Sequence, residues 1–217
     1  MLNLSAVALT CFVPKTGTVS STTKGPIVKD IAAGLTYIKQ NQIIRILLII
    51  GLATTLLAMP FRFLMPVFVV DVYNKGPESM GLLVAIMGGG SLVGSLFIAS
   101  IGQWKRGMIL IIGSFSSAFA LLLLAFLPFY FAAAAIMILL GLGDAGRRTI
   151  NQSLVMEKTE AIFQGRVMSV FMMNFGLMPL GVLPAGILMD IFGGQAVIGL
   201  LGLILLTFTF VILFTQK

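Results

Sequence analysis

The chain reads as an all-α integral membrane protein, and three observations predict it. Six apolar stretches, each about as long as a bilayer is thick, follow one another between residues 43 and 214. A hydrocarbon core of roughly 30 Å takes about 20 apolar residues of helix to cross. Hydrophobic residues make up 59% of the 217 and charged residues only 10%, where soluble domains carry about 25% charged, so there is too little polar surface to clothe a water-exposed globule. The charges that exist gather between the stretches and mostly on one side of them, as they do in membrane proteins.

Three domains are expected. Residues 1–13 are apolar but too short to span, and the nearest lysines, Lys15 and Lys24, follow rather than precede them, the reverse of a secretory signal. They are read as the tail of a transmembrane helix whose start is missing. Residues 14–42 form a cytoplasmic linker and an amphipathic surface helix. The linker is rich in Gly, Ser, Thr and Pro. The helix, over 27–41, carries Ile27, Ile31, Leu35 and Ile38 on one face at helical spacing, which suits a position along the membrane surface. Residues 43–217 form a six-helix transmembrane bundle. Its spans are placed at 43–70, 80–101, 108–127, 129–156, 167–191 and 195–214.

The basic residues orient this bundle. Lys15, Lys24, Lys29, Lys39, Arg45, Lys105, Arg106, Lys158, Arg166 and Lys217 fall on one side, whereas the other has Lys75 and little else. The basic side is cytoplasmic by the positive-inside rule, which puts both ends of the six-span unit inside a multi-pass protein of the cell membrane. The net charge of +7 then reflects loops facing anionic headgroups and not a nucleic-acid surface. One cysteine and no histidine leave no intrachain disulfide; they also remove the commonest zinc ligand and general base. No catalytic residue, metal site or cofactor is expected, and the chain is read as no enzyme.

Within the spans, polar and helix-breaking residues mark where mechanism can reside. Gly90 and Gly94 make a G-x-x-x-G pair in the second span, suited to close helix packing in lipid or to a face that slides in gating. Pro60 and Pro66 interrupt the first span, and Pro179 and Pro184 the fifth, each freeing a backbone carbonyl and bending the helix. In the fourth span, Gly141 to Arg148 reads Gly-Leu-Gly-Asp-Ala-Gly-Arg-Arg. Asp144 and Arg148 are four apart and can pair on one face. Arg147 and Arg148 are expected close to the cytoplasmic interface, able to snorkel toward it. Asp144 lies deeper, and an intramembrane carboxylate is costly enough to mark either a structural ion pair or a substrate or proton pathway. Arg62, inside the first span, is weighed the same way. Residues 157–166 are read as the longest charged loop, with Gly165 and Arg166 in a defined turn that enters the fifth span.

Two segments carry a resemblance. Gln164-Gly165-Arg166-Val167-Met168-Ser169, followed by Phe175-Gly176-Leu177-Met178-Pro179-Leu180-Gly181, resembles the fifth helix of the C-terminal half of major facilitator superfamily transporters. The similarity is to the drug-efflux-like branch that includes macrolide and enterobactin exporters. Residues 186–193, the helix over 30–41, the glycine-rich 141–146 and the stub at 2–6 are similar to other parts of that half. The loop at 102–107 stands where the family has a cytoplasmic loop motif, yet it contains no acid, a departure that leaves the inward-gate charge relay of this half without its acid there.

The resemblance implies a fragment: the C-terminal six-helix half of a major facilitator superfamily fold, preceded by a partial helix. Its partners are then a missing N-terminal six-helix half, the lipid bilayer and a small-molecule substrate, with no nucleic acid. The implied function is proton-coupled efflux of a small amphipathic compound by an antiporter. The alternatives are a siderophore or lipid-like exporter of the same fold, and a non-catalytic half-bundle that pairs with another subunit.

Overall fold

The structure, a computed structural model, describes residues 27–101 and 106–215. These residues are helical throughout apart from short connections, with no strand among them. The stub at 1–13, the linker at 14–26 and the loop at 102–105 lie outside the described residues. Nine helices are described: α1 Ile27–Gln40, α2 Gln42–Leu57, α3 Met59–Tyr73, α4 Pro77–Ile101, α5 Arg106–Phe126, α6 Tyr130–Lys158, α7 Gln164–Gly176, α8 Pro179–Phe192 and α9 Gly194–Thr215. They make six segments long and apolar enough to cross a bilayer: Gln42–Tyr73, Pro77–Ser100, Arg106–Phe126, Tyr130–Lys158, Gln164–Phe192 and Gly194–Phe214. The described chain is an all-α membrane bundle.

Two spans are broken where the prolines dictate. The first is interrupted at Ala58, and Pro60 sits in the opening turn of α3, where a missing N–H costs nothing. The fifth breaks at Leu177–Met178, and Pro179 opens α8. Pro66 and Pro184 lie inside α3 and α8. The other four spans run without an internal proline. α3 ends on Asn74 in the left-handed conformation (φ 51°), whose N–H closes back on the Val70 carbonyl; a short amide side chain tolerates that region better than most residues.

Four unbroken helices pack side by side in the order α4, α6, α5, α9, and the contacts between these neighbours are the most extensive in the molecule. Glycine sets their spacing. A methyl group added at Gly90 would lie 2.6 Å from the Ile138 carbonyl oxygen, and one at Gly94 3.0 Å from Leu142 Cα. The two backbones therefore meet face to face, the close approach small residues allow in lipid. Ser91 donates a hydrogen bond across the same seam to the Gly141 carbonyl (3.2 Å).

The helix α1 keeps part of its anticipated apolar face outward. Ile31 and Leu35, half of the anticipated apolar face, are exposed, whereas Gly34, Tyr37 and Ile38 are buried. Tyr37 stacks on Phe163 with ring centroids 4.2 Å apart, and its hydroxyl accepts the Glu160 N–H (3.2 Å). Gly34 brings α1 against the Arg166 side chain. The helix is thus fastened to the turn before α7 by its flank, and Ile31 and Leu35 stay outward. That turn is shorter than the expected 157–166 loop: Glu157 and Lys158 belong to α6, and Gln164 already opens α7. The basic Arg106, at the start of α5, finds its acid in Glu157 of α6 (3.1 Å), so the pairing its own loop cannot supply comes from another helix.

The interior is divided in two. A large apolar cluster holds Phe61, Phe68, Leu83, Leu121, Met137, Ile198 and their neighbours. A smaller one, near α1 and α7, holds Ile44, Leu47, Leu110, Val155 and Phe171. Between them runs a belt of buried polar residues: Thr54 and Thr55 on α2, Ser114 and Ser117 on α5, Arg147 and Asn151 on α6, Asn174 on α7 and Thr209 on α9. Both helix breaks fall within a few residues of this belt.

Candidate functional site

Most of the belt satisfies itself. The hydroxyls of Thr54, Ser114, Ser117 and Thr209 each donate to a carbonyl one turn back on their own helix, at 2.7–3.0 Å. This is the usual way a hydroxyl is housed in a helix surrounded by apolar groups. The Asn174 amide donates to the Leu48 carbonyl at 3.4 Å. Gly51 makes room for this crossing: Asn151 and Asn174 amide nitrogens would stand 2.9 and 3.3 Å from a methyl group placed there.

The exception is a charged cluster. Asp144, midway along α6, is within ion-pair distance of three arginines: Arg147 at 2.5 Å, Arg148 at 3.7 Å and Arg62 of α3 at 3.8 Å. Helical spacing explains the first two, since i+3 and i+4 share the face of residue i. The third comes from α3, whose Arg62 side chain reaches across to Asp144 from just past the break at Ala58. The side chains are unequal in exposure: Arg147 6%, Asp144 18%, Arg62 37% and Arg148 41%. Arg148 also lies over the Phe175 ring at 5.8 Å and against the Met59 sulfur at 3.8 Å.

The expectation that Arg147 snorkels to the interface is therefore corrected. Arg147 is buried, directed into the bundle and held by Asp144. Helical rise placed it near one end of the span, but burial follows from which face it occupies, and that face is turned inward. Even so, its needs are not fully met. Its Nη1, and the Oδ1 of Asn151 one turn further along α6, are buried with no hydrogen-bond partner among the described residues. Such groups carry a cost unless something completes them.

Small spaces adjoin these atoms. A crevice of about 30 Å³ is walled by Thr54, Thr55, Met59, Arg147, Arg148, Asn151 and the aromatic rings of Phe171 and Phe175. A second of about 10 Å³ lies on the other side of Arg147, against Arg62, Asp144 and Ala58. The site is thus cationic with an apolar wall, and it is formed where the broken first and fifth spans meet the unbroken α6. No group of three or more metal-ligating side chains occurs among the described residues.

Of the residues singled out in the sequence, the fold brings Asp144, Arg147, Arg148 and Arg62 together. Gly90 and Gly94 lie elsewhere, against the α6 backbone. Pro179 bounds the break beside the site, and Pro184 is exposed on α8. Gly165 is exposed with open space around it; Arg166 packs near Phe163 (5.5 Å to the ring) and belongs to the α1 contact. Sequence reasoning missed Asn174, Thr54 and Thr55. A lone amide or a threonine pair inside an otherwise apolar span is the signal that could have found them.

Comparison with known proteins agrees with this architecture. Residues 1–182 match the family model described as Major Facilitator Superfamily. The chain is 24% identical over 169 residues to macrolide efflux protein A of Enterococcus faecalis, covering 76% of this chain and 52% of that protein. It is 24% identical over 161 residues to macrolide efflux protein A of Streptococcus pyogenes, covering 73% and 40%. The chain thus spans about half, or less, of the length of these curated relatives. No solved structure matches it. With a family match over most of its length and a bundle of six spanning helices, the chain belongs to the Major Facilitator Superfamily.

Proposed function

We propose that the whole protein exports a small amphipathic compound across the cytoplasmic membrane by exchange for protons, and that this chain supplies its C-terminal six-helix half. The observation that carries the reading is the Asp144–arginine cluster. Ionisable groups placed inside a membrane bundle are costly and line substrate or ion pathways, and this one adjoins two broken helices, the usual setting of a transporter's binding site. The likeness to two macrolide efflux proteins supports export as the direction. In this reading an N-terminal six-helix half faces the cluster, both ends of the six-span unit are cytoplasmic, and Asp144 is the proton-handling carboxylate.

The test is energised export in cells carrying the whole protein encoded by the gene. Asp144→Asn, which keeps the side chain's shape, is expected to abolish pH-gradient-dependent efflux of a fluorescent amphipathic dye, scored per molecule of protein in the membrane because loss of Arg147's counter-charge lowers abundance as well. Efflux that persists at the wild-type rate removes Asp144 from the coupling. Efflux absent from the wild-type protein with every dye, cationic, neutral and anionic, removes the exporter reading itself.

A further inference from the structure

We propose that the arginine cluster binds an anionic headgroup, a carboxylate or phosphate ester carried on an apolar tail. This deepens the reading above and rests on it, because it treats the cluster as the substrate station. The first argument is the charge count. Three guanidinium groups surround one carboxylate, which leaves the cluster with a net charge of +2. Asp144 is the one acid within ion-pair distance of these arginines among the described residues. Glu157 is engaged with Arg106 and Lys158 at the far end of α6. Unmatched charge in a bundle is costly, and a site with two surplus cations, on arginines that are partly exposed, favours an anion that faces it.

The second argument is the orphaned donor. Arg147 is buried and its Nη1 has no partner, while it forms the wall between the two crevices. A guanidinium recognises carboxylate and phosphate through paired N–H groups, and here one half of the fork is spent on Asp144 and the other is unused. Arg62 and Arg148 approach Asp144 only to 3.8 and 3.7 Å, longer than a hydrogen bond. They are also partly exposed, so a ligand can reach them.

The third argument is the wall. Met59, Phe171 and Phe175 border the larger crevice; at about 30 Å³ it holds no tail, but these side chains set an apolar surface beside the cations on which a tail can lie. A cationic amphiphile meets the reverse situation: its charge enters a +2 field and gains only a carboxylate already shared by three arginines.

Two sources share this chemistry, an anionic membrane lipid and a soluble amphipathic compound. The experiment uses the whole protein, purified and placed in nanodiscs of phosphatidylcholine. Binding of radiolabelled dodecyl phosphate is compared with that of dodecyltrimethylammonium, which has the same tail and the opposite charge. The phosphate is expected to bind at least tenfold more tightly. Arg62→Gln and Arg148→Gln are each expected to weaken it about tenfold, as the loss of a charged hydrogen bond does. Arg148→Lys keeps the charge and is expected to retain most of the affinity, which separates electrostatics from shape. The reversal Arg62→Glu with Arg148→Glu is expected to favour the ammonium probe. Each variant is scored only if it elutes as a monodisperse species, and Arg148→Gln, at a partly exposed position, is the variant least exposed to misfolding.

Adding phosphatidylglycerol identifies the source. Displacement of the probe identifies a lipid headgroup; continued binding identifies a soluble compound. Equal affinity for the two probes, or binding indifferent to both glutamine variants, overturns the proposal. That failure is distinct from failure of the exporter reading, which shows as the absence of energised movement of any dye.

Discussion

The unbroken helices and the broken spans of this bundle hold together by different means. Across the row α4–α6–α5–α9, backbone lies on backbone. Gly90, Gly94 and Gly141 leave no room for even a methyl group against the facing helix, and Gly113 and Gly143 repeat the arrangement between α5 and α6. The energy there comes from dense van der Waals contact, which is what lipid leaves available when both sides are equally apolar. The spans α2/α3 and α7/α8 have proline-opened segments, fewer contacts with their neighbours, and a polar seam of Thr54, Asn151 and Asn174 between them. The first region is held by close backbone contact along its length. The second contains the segments whose direction can change, and the charged cluster stands on the boundary between the two.

That contrast can be broken most severely at its boundary. Asp144→Ala leaves the buried Arg147 without a counter-charge, and unpaired buried charges cost about 3–5 kcal/mol; thermal unfolding in detergent is expected to show the largest loss of any single substitution. Replacing Arg147 by methionine in the same chain should return much of that stability, because the uncompensated charge is gone. A variant with Asp144→Ala as stable as wild type would show that the cluster is solvated and not structural.

Within the first region, Gly141→Leu drives a side chain into the Met87 backbone and is expected to cost about 3 kcal/mol or more, as overpacking does, visible as lost monodisperse protein. The same change at Gly89 meets open space and should be tolerated. Equal effects at the two positions would dissolve the distinction between the packed seam of α6 on α4 and the free face of α4. In the broken region, Gly181→Ala sets a methyl group against the Leu56 carbonyl beside the first break. It is expected to cost about 1–3 kcal/mol and to slow export more than it lowers abundance.

The smallest expected effect is at Pro184→Ala. The residue is exposed inside α8, and alanine there restores an N–H donor and a better helix former. Stability should rise or stay level. If export falls while stability rises, the bend itself is used; if both are unchanged, α8 needs Pro179 alone.

How much of this was legible in the sequence follows from the range of each interaction. The six spans were legible because hydropathy over some twenty residues is a local property. The breaks were foreshadowed by proline, whose effect is confined to its own turn. The pairing of Asp144 with Arg148 was legible from a spacing of four. The shorter contact to Arg147 and the entry of Arg62 were not, since one depends on the rotamer each side chain adopts and the other on where the broken first span carries α3. The flank by which α1 attaches was not legible for a related reason. Counting apolar residues found the Ile31–Leu35 face, yet stacking of Tyr37 on Phe163 and the bare backbone at Gly34 decided the contact. The polar belt was invisible as a belt because its members sit on five helices at positions that only the fold brings level.

The surplus of positive charge in that belt has an electrical consequence. Moving one elementary charge across a membrane held at 100 mV changes its energy by about 2.3 kcal/mol. A conformational step that carries the empty cluster through part of that field is opposed or assisted by the potential on two charges. The same step with a doubly charged anion seated between Arg62 and Arg148 moves none. Loading the site would thus change which half of the transport cycle senses the membrane voltage, and the steepness of transport against voltage would count the charges on the cargo.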